Sequence, residues 1–83
     1  MLYQLVWEPP AINAAARFLG DDAAGLRQLI AALDDLAVQP RPTASFAFGS
    51  VDVRRIRVGR YRCLYQVSDH DHTVVITHLG RSD

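Results

Sequence analysis

Val53-Arg54-Arg55-Ile56-Arg57-Val58-Gly59-Arg60-Tyr61-Arg62-Cys63-Leu64-Tyr65-Gln66-Val67 carries five of the nine basic residues of an 83-residue chain. Its β-branched and aromatic residues alternate with polar ones on either side of Gly59-Arg60, the pattern of two strands joined by a tight turn. A two-residue hairpin loop of type II′ needs φ > 0 at its first position, which glycine supplies. With Gly59 and Arg60 as the loop, Val58 faces Tyr61, Arg57 faces Arg62, Ile56 faces Cys63 and Arg55 faces Leu64. Side chains alternate across a strand, so Ile56, Val58, Tyr61, Cys63 and Tyr65 share one face. Arg55, Arg57, Arg62 and Leu64 share the other. Like charges placed directly opposite each other destabilise a hairpin by roughly 0.2–1 kcal/mol. The Arg57–Arg62 pair therefore makes physical sense where an anion sits between the two guanidiniums.

The rest of the chain limits what that anion site belongs to. Eighty-three residues, 49% of them hydrophobic, suffice for one domain (residues 1–83) with a single modest core. The single cysteine, Cys63, cannot form an internal disulfide and reads as a small buried hydrophobe on the core face. The N-terminus has neither a basic start nor a long apolar run, and no stretch is long enough to span a bilayer, so a cytoplasmic protein without membrane contact is expected. Net charge is zero, yet it is segregated. Residues 1–40 hold two arginines against five carboxylates, a balance of −3, and residues 41–83 hold seven arginines against four aspartates, a balance of +3. Every basic residue is arginine, the side chain suited to bidentate phosphate contacts.

In chain order, Leu2–Trp7 reads as a strand ended by Pro9-Pro10. A helix is expected from about Ala11 to Leu19, with a stripe of Ile12, Ala15, Ala16 and Leu19 and a stop at Gly20. Asp21 or Asp22 then caps a second helix, in which Leu26, Leu29, Ile30, Leu33 and Leu36 recur at helical spacing. Gln39-Pro40-Arg41-Pro42 ends it. Residues 43–50 read as a connecting loop anchored by Phe46 and Phe48. After the arginine hairpin come a turn at Ser68–His72 and a strand from Thr73 to Leu79. Regular alternation places Val74, Ile76 and His78 on one face of that strand, and Val75, Thr77, Leu79 and Arg81 on the other. The fold class is α+β: β-α-α-β-β-β, an antiparallel sheet with a two-helix hairpin packed on one face and the other face partly open.

Among chemical groups, Asp69-His70-Asp71-His72 contains ligand-type residues, but it lies in a turn and no second cluster completes a site, so no metal is assigned. His78 reads as a structural histidine in preference to a catalytic one. No nucleophile motif or glycine-rich phosphate loop is present, and no cofactor is expected. The arginines remain: Arg55, Arg57 and Arg62 cluster on the open sheet face, with Arg81 reaching it if alternation persists. A solvated polar face is the plain alternative. The like-charge pair, and the lack of any carboxylate between residues 53 and 68, favour binding of an anion or nucleic acid. Such a cluster can stabilise phosphate charge, but arginine stays protonated and makes a poor general base.

Arg55-Ile56-Arg57-Val58-Gly59-Arg60-Tyr61-Arg62-Cys63-Leu64-Tyr65, with the closing Val74-Val75-Ile76-Thr77-His78-Leu79-Gly80-Arg81, resembles the RelE/ParE family of bacterial toxins. Tyr3-Gln4-Leu5-Val6-Trp7 and the Leu36…Pro40-Arg41-Pro42 break are also similar, so the likeness covers nearly the whole chain. The resemblance implies the toxin of a type II toxin–antitoxin module, neutralised by a cognate antitoxin that also mediates any contact with operator DNA. RelE-like members cut mRNA in the ribosomal A site without a metal, the ribose 2′-hydroxyl attacking the adjacent phosphate. On this likeness Arg55, Arg57, Arg62 and Arg81 are the catalytic residues that hold the scissile phosphate, and Arg54 and Arg60 are further RNA contacts. Arg55 and Arg57 stand where RelE-type enzymes often carry lysines, and Leu79-Gly80-Arg81 replaces a more usual Gly, His or Lys, Arg. Two alternatives stay open: a ParE-like inhibitor of DNA gyrase, and a degenerate member that acts only in antitoxin–DNA repressor complexes.

Overall fold

A computed structural model describes residues 2–82. Strand β1 (Gln4–Trp7) leads into helices α1 (Pro9–Asp21) and α2 (Ala23–Asp34), the latter extended by a 3₁₀ turn at Asp35–Ala37. Four strands follow: β2 (Ser45–Ser50), β3 (Val53–Val58), β4 (Tyr61–Ser68) and β5 (Thr73–Arg81). They form one five-stranded sheet in the order β1-β5-β4-β3-β2. The architecture is α+β with the helix hairpin on one face. It departs from the expected order by one strand, because residues 45–50 are a strand where the sequence reads as a loop. The sheet is mixed, since β1 runs parallel to β5, with Leu5 opposite Val74 and Trp7 opposite Ile76. A parallel pair needs a long crossover, and here everything from α1 to β4 lies between the two strands.

The arginine hairpin has the register read from the sequence. Val58 pairs with Tyr61, Arg57 with Arg62, Ile56 with Cys63 and Arg55 with Leu64. Gly59 has φ +60°, and Arg60 is not among the residues with positive φ, the signature of a II′ turn.

Helix α1 starts earlier and ends later than its side-chain pattern suggests, whereas α2 begins directly after the expected cap at Asp22. Pro9 and Pro10 occupy the first turn of α1, where a missing N–H would be unpaired in any case. Gly20 does not stop α1; the helix continues to Asp21, and Asp22 closes it by donating its N–H to the Phe18 carbonyl at 2.7 Å. The buried stripe of α1 is Ala11 and Ala14, with Ala15 and Phe18 partly buried. Ile12 and Leu19, expected inside, are 49% and 45% exposed. The inward face is turned by about one residue from the expected one, so that the small alanines, which permit close approach to the sheet, point to the core. In α2, Leu26, Leu29, Leu33 and then Leu36 are buried as their spacing requires, and Ile30 packs against them. They meet Ile56, Tyr61, Cys63, Tyr65, Val67, Val74, Ile76 and Leu79 from the sheet in one core.

Two tyrosines tie the layers together. Tyr65, fully buried, donates its hydroxyl to the Pro40 carbonyl at 2.8 Å, and Tyr61 donates to Asp22 Oδ2 at 2.8 Å. Burial pushes the Cys63 thiol up to about 12, which leaves it a packing group. No helix among the described residues is long and apolar enough to cross a membrane. No group of three or more metal-ligating side chains is assembled among them either.

Candidate nucleic-acid interface

The sheet face turned away from the helices is built from alternate residues of four strands. On β3 and β4 it carries Arg55, Arg57, Arg62 and Leu64, as the hairpin register dictates. β2 adds Phe46, directly opposite Arg55. β5 adds residues whose position depends on a bulge. Leu64 pairs with His78, while its neighbour Tyr65 pairs with Ile76, so Thr77 is an extra residue in the ladder. The Thr77 hydroxyl donates to the Leu64 carbonyl at 3.1 Å. Past the bulge the faces exchange: Leu79 is buried, whereas His78 and Gly80 sit opposite Leu64 and Arg62.

The exchange corrects the expectation for Arg81. It does not reach the arginine cluster. It lies on the helix side, its guanidinium 4.8 Å from the Phe18 ring centroid and paired with Asp21. Arg54 and Arg60, expected to contact RNA, also lie elsewhere. Arg54 is half-buried and donates to Ser45 Oγ at 2.8 Å, to the Val51 carbonyl at 3.1 Å and to the Ser45 carbonyl at 3.3 Å. That fastens the edge strand β2. Arg60 leans from the hairpin turn to Asp22 Oδ2 at 3.4 Å.

Arg55, Arg57 and Arg62 are brought together. They line a hollow of about 290 Å³ with Phe46 and Ser82. Arg62 donates to Ser82 Oγ at 3.0 Å and lies across Gly80, whose missing side chain leaves it room. Arg57 has a different partner, its Nε donating to the Gly59 carbonyl at 3.2 Å. The like-charged pair is thus held by separate bonds, to the turn and to the end of the chain's last strand, and both side chains line the one hollow. A second hollow of about 220 Å³ adjoins the first, sharing Arg55 and Arg62 and adding Phe48, Leu64 and His78.

The electrostatics of the two sheet faces differ because the acidic residues lie elsewhere. Asp21 and Asp22, at the helix junction, pair with Arg81 and Arg60. Asp52 and Asp69, at the far-end turns, both hold Arg41, at 2.6 and 3.1 Å. The Arg41 guanidinium, with the Tyr3 hydroxyl, holds the Asp69 carboxyl below the usual carboxylate range. The two aspartates in turn raise Arg41 further. No carboxylate among the described residues pairs with Arg55, Arg57 or Arg62. Three uncompensated guanidiniums around a concave surface attract a phosphodiester by charge and by fork geometry.

Reading the sequence alone missed four contributors: Phe46, Phe48, His78 and Ser82. The first two carried a signal, since Ser45-Phe46-Ala47-Phe48 alternates small and large at period two. His78 and Ser82 depend on the bulge, which no local pattern marks.

Comparison with known proteins agrees with this architecture. Residues 6–83 match the family described as the ParE toxin of type II toxin-antitoxin system, parDE. No curated protein sequence matches the chain. Among solved structures, a mutant of the E. coli toxin RelE in the free state superposes with a TM-score of 0.82 at 25% identity, covering 100% of this chain and 86% of that one. RelE in the intact E. coli RelBE toxin–antitoxin complex gives 0.78 at 28% identity, covering 98% of each chain. The archaeal RelE–RelB complex from Pyrococcus horikoshii gives 0.79 at 24% identity over 98% and 96%, a likeness of fold. With a family match that spans all but the first five residues, and a sheet and helix hairpin that overlay on RelE, the chain belongs to the RelE/ParE family of type II toxin–antitoxin toxins.

Proposed function

We propose that this toxin is an mRNA endonuclease that acts on the ribosome, with Arg55, Arg57 and Arg62 gripping the RNA backbone at the scissile phosphate. The observation that supports this most directly is the concave open face, on which three arginines have no carboxylate partner among the described residues while the acidic residues neutralise the other side. The arginines orient the phosphate and offset the charge that accumulates as the 2′-hydroxyl attacks it. A cognate antitoxin holds the activity in check, as RelB does in the complexes of the similar structures. Expressed without antitoxin, the wild-type chain is expected to arrest growth and to leave mRNA cut in codon register. Arg62→Ala, on an exposed strand face, should fold normally and lose both effects. A folded Arg62→Ala protein that remained equally toxic would sink the assignment.

A second reading is a ParE-like inhibitor of DNA gyrase. It is favoured by the family description itself, and by arginines that can hold a phosphate but cannot remove a proton. Gyrase supercoiling measured beside in vitro translation and mRNA cleavage separates the two. Inhibited supercoiling with intact mRNA selects the second.

A further inference from the structure

We propose that Ser82 is a phosphorylation site, and that a phosphoryl group placed on it by a protein kinase docks among the arginines of the open face and silences the toxin. The proposal rests on the reading of Arg55, Arg57 and Arg62 as the grip on RNA phosphate, and adds a covalent means of regulating that grip.

Ser82 directly follows β5 and is partly exposed. Its Oγ accepts from Arg62 Nη1 at 3.0 Å, and it lines the larger hollow with Arg55, Arg57, Arg62 and Phe46. Among the described residues it is the one hydroxyl-bearing side chain in that lining. Ser45 also accepts from an arginine, Arg54, but it is buried and donates to the Pro42 carbonyl at 2.8 Å, out of a kinase's reach. The Ser82 backbone is tied to the hairpin turn, its N–H donating to the Arg60 carbonyl at 2.7 Å. Strand ends open locally at little cost. Opening here presents the hydroxyl to an enzyme, and reclosing returns it to the hollow. In the transfer, the Ser82 oxygen attacks the γ-phosphorus of a nucleoside triphosphate and the bond to the β,γ-bridging oxygen breaks. The nucleoside diphosphate leaves, and the hydroxyl proton passes to the catalytic carboxylate of the kinase.

Charge then decides the outcome. A phosphoserine carries about −1.5 to −2 charges at pH 7 and three strong acceptor oxygens. Carried on Ser82 Oγ, those oxygens start from an atom that already touches Arg62, and they reach the space bordered by Arg55 and Arg57. Guanidiniums take phosphate through paired N–H···O bonds, and no carboxylate among the described residues competes for these three. The positive charge of the three guanidiniums is offset to about one. A phosphodiester of RNA brings a single charge and arrives from solution. The tethered group brings nearly twice that charge at an effective concentration in the millimolar range. It therefore holds the hollow against RNA.

The test uses the full chain with phosphoserine encoded in place of Ser82, freed of its antitoxin. In a phosphorus NMR titration, the second ionisation of the phosphate should lie about one to three units below its value in the same chain unfolded in urea, the shift that opposite charges a few ångströms away produce. Arg62→Ala in the phosphorylated chain should move it back towards the unfolded value. Affinity for a short single-stranded RNA should fall about tenfold or more on phosphorylation, the loss of one charge-assisted hydrogen bond. Its salt dependence should become shallower, and phosphatase treatment should restore both. Toxin isolated from its own cells, growing and starved, should carry one phosphoryl group on Ser82 in at least one of the two states. A phosphate that titrates alike in the folded and unfolded chains overturns the docking. So does an RNA affinity unchanged by phosphorylation in a chain whose unmodified form binds RNA. Ser82 unmodified in both cell states overturns the modification site. Failure of the unmodified chain to bind RNA removes the grip on RNA, and the silencing with it, while the phosphate titration still decides whether the hollow takes the phosphoryl group.

Discussion

Asp22 accepts hydrogen bonds from the Gly25 amide at 3.1 Å, the Tyr61 hydroxyl at 2.8 Å and Arg60 at 3.4 Å. One carboxylate thereby caps α2 and ties the helix junction to the arginine hairpin. Gly25 is required for this: a Cβ there would lie 2.3 Å from Asp22 Oδ2. The Tyr61 hydroxyl first, then the Gly25 amide and Arg60, hold the Asp22 carboxyl below its ordinary 3.8. A carboxylate whose folded value is depressed adds stability that is complete above its unfolded value and is lost as pH falls through the folded one. The thermal midpoint should therefore hold steady at neutral pH and fall once pH drops below the ordinary carboxylate range. Asp22→Asn should have a lower midpoint at neutral pH and a shallower decline in acid. The decline that remains belongs to Asp69, also held low, by Arg41 and Tyr3. Midpoints recorded by circular dichroism across that pH range check this, and identical curves for Asp22→Asn and wild type would refute it. The cap was legible, because an aspartate before a leucine stripe after a glycine is a helix start. Its bond to Tyr61 was not, because nothing local links residues 39 positions apart.

The strands show where period-two reading succeeds and where it fails. In the hairpin every partner follows from one turn at Gly59-Arg60, since the register of a two-residue loop leaves no freedom. β2 was missed because Phe46 and Phe48 looked like loop anchors, although they alternate with Ala47 and face solvent. In β5 alternation holds up to Ile76 and then reverses, which misplaced His78, Leu79 and Arg81. The reversal has a clear consequence for mutagenesis. Deleting Thr77 should preserve the facing of every other β5 residue: the histidine stays opposite Leu64, the leucine stays in the core, and the pairing of Gln4–Trp7 with residues 73–76 is untouched. The protein lacking Thr77 should retain its far-ultraviolet spectrum and cooperative unfolding, losing only the Thr77–Leu64 hydrogen bond. Deleting His78 removes an outward residue and keeps Thr77, so either the bulge must heal with Thr77 outward or Leu79 must leave the core. A protein unfolded by loss of Thr77 alone would show that the bulge is needed for more than register.

At the scale of the molecule, the sequence already separated a negative first half from a positive second half, and the fold turns that separation into two faces. The aspartates of the helix junction meet Arg60 and Arg81, those of the far turns meet Arg41, and on the other side of the sheet three arginines have no carboxylate partner among the described residues. The overall architecture was legible because hydrophobic spacing and proline positions are local signals. The allocation of arginines between the two faces was not, because it depends on which aspartates arrive from elsewhere in the chain. A body with zero formal charge but opposed faces is an electric dipole. In the field of a polyanion it experiences a torque that presents the open face, with little net pull to speed its approach. Salt should therefore slow association with RNA only modestly, by screening that torque, and act chiefly on the dissociation rate, where phosphates displace condensed ions. Stopped-flow traces at several salt concentrations would reveal it: the toxin meets its target at an ordinary pace, already turned the right way, and salt decides how long it stays.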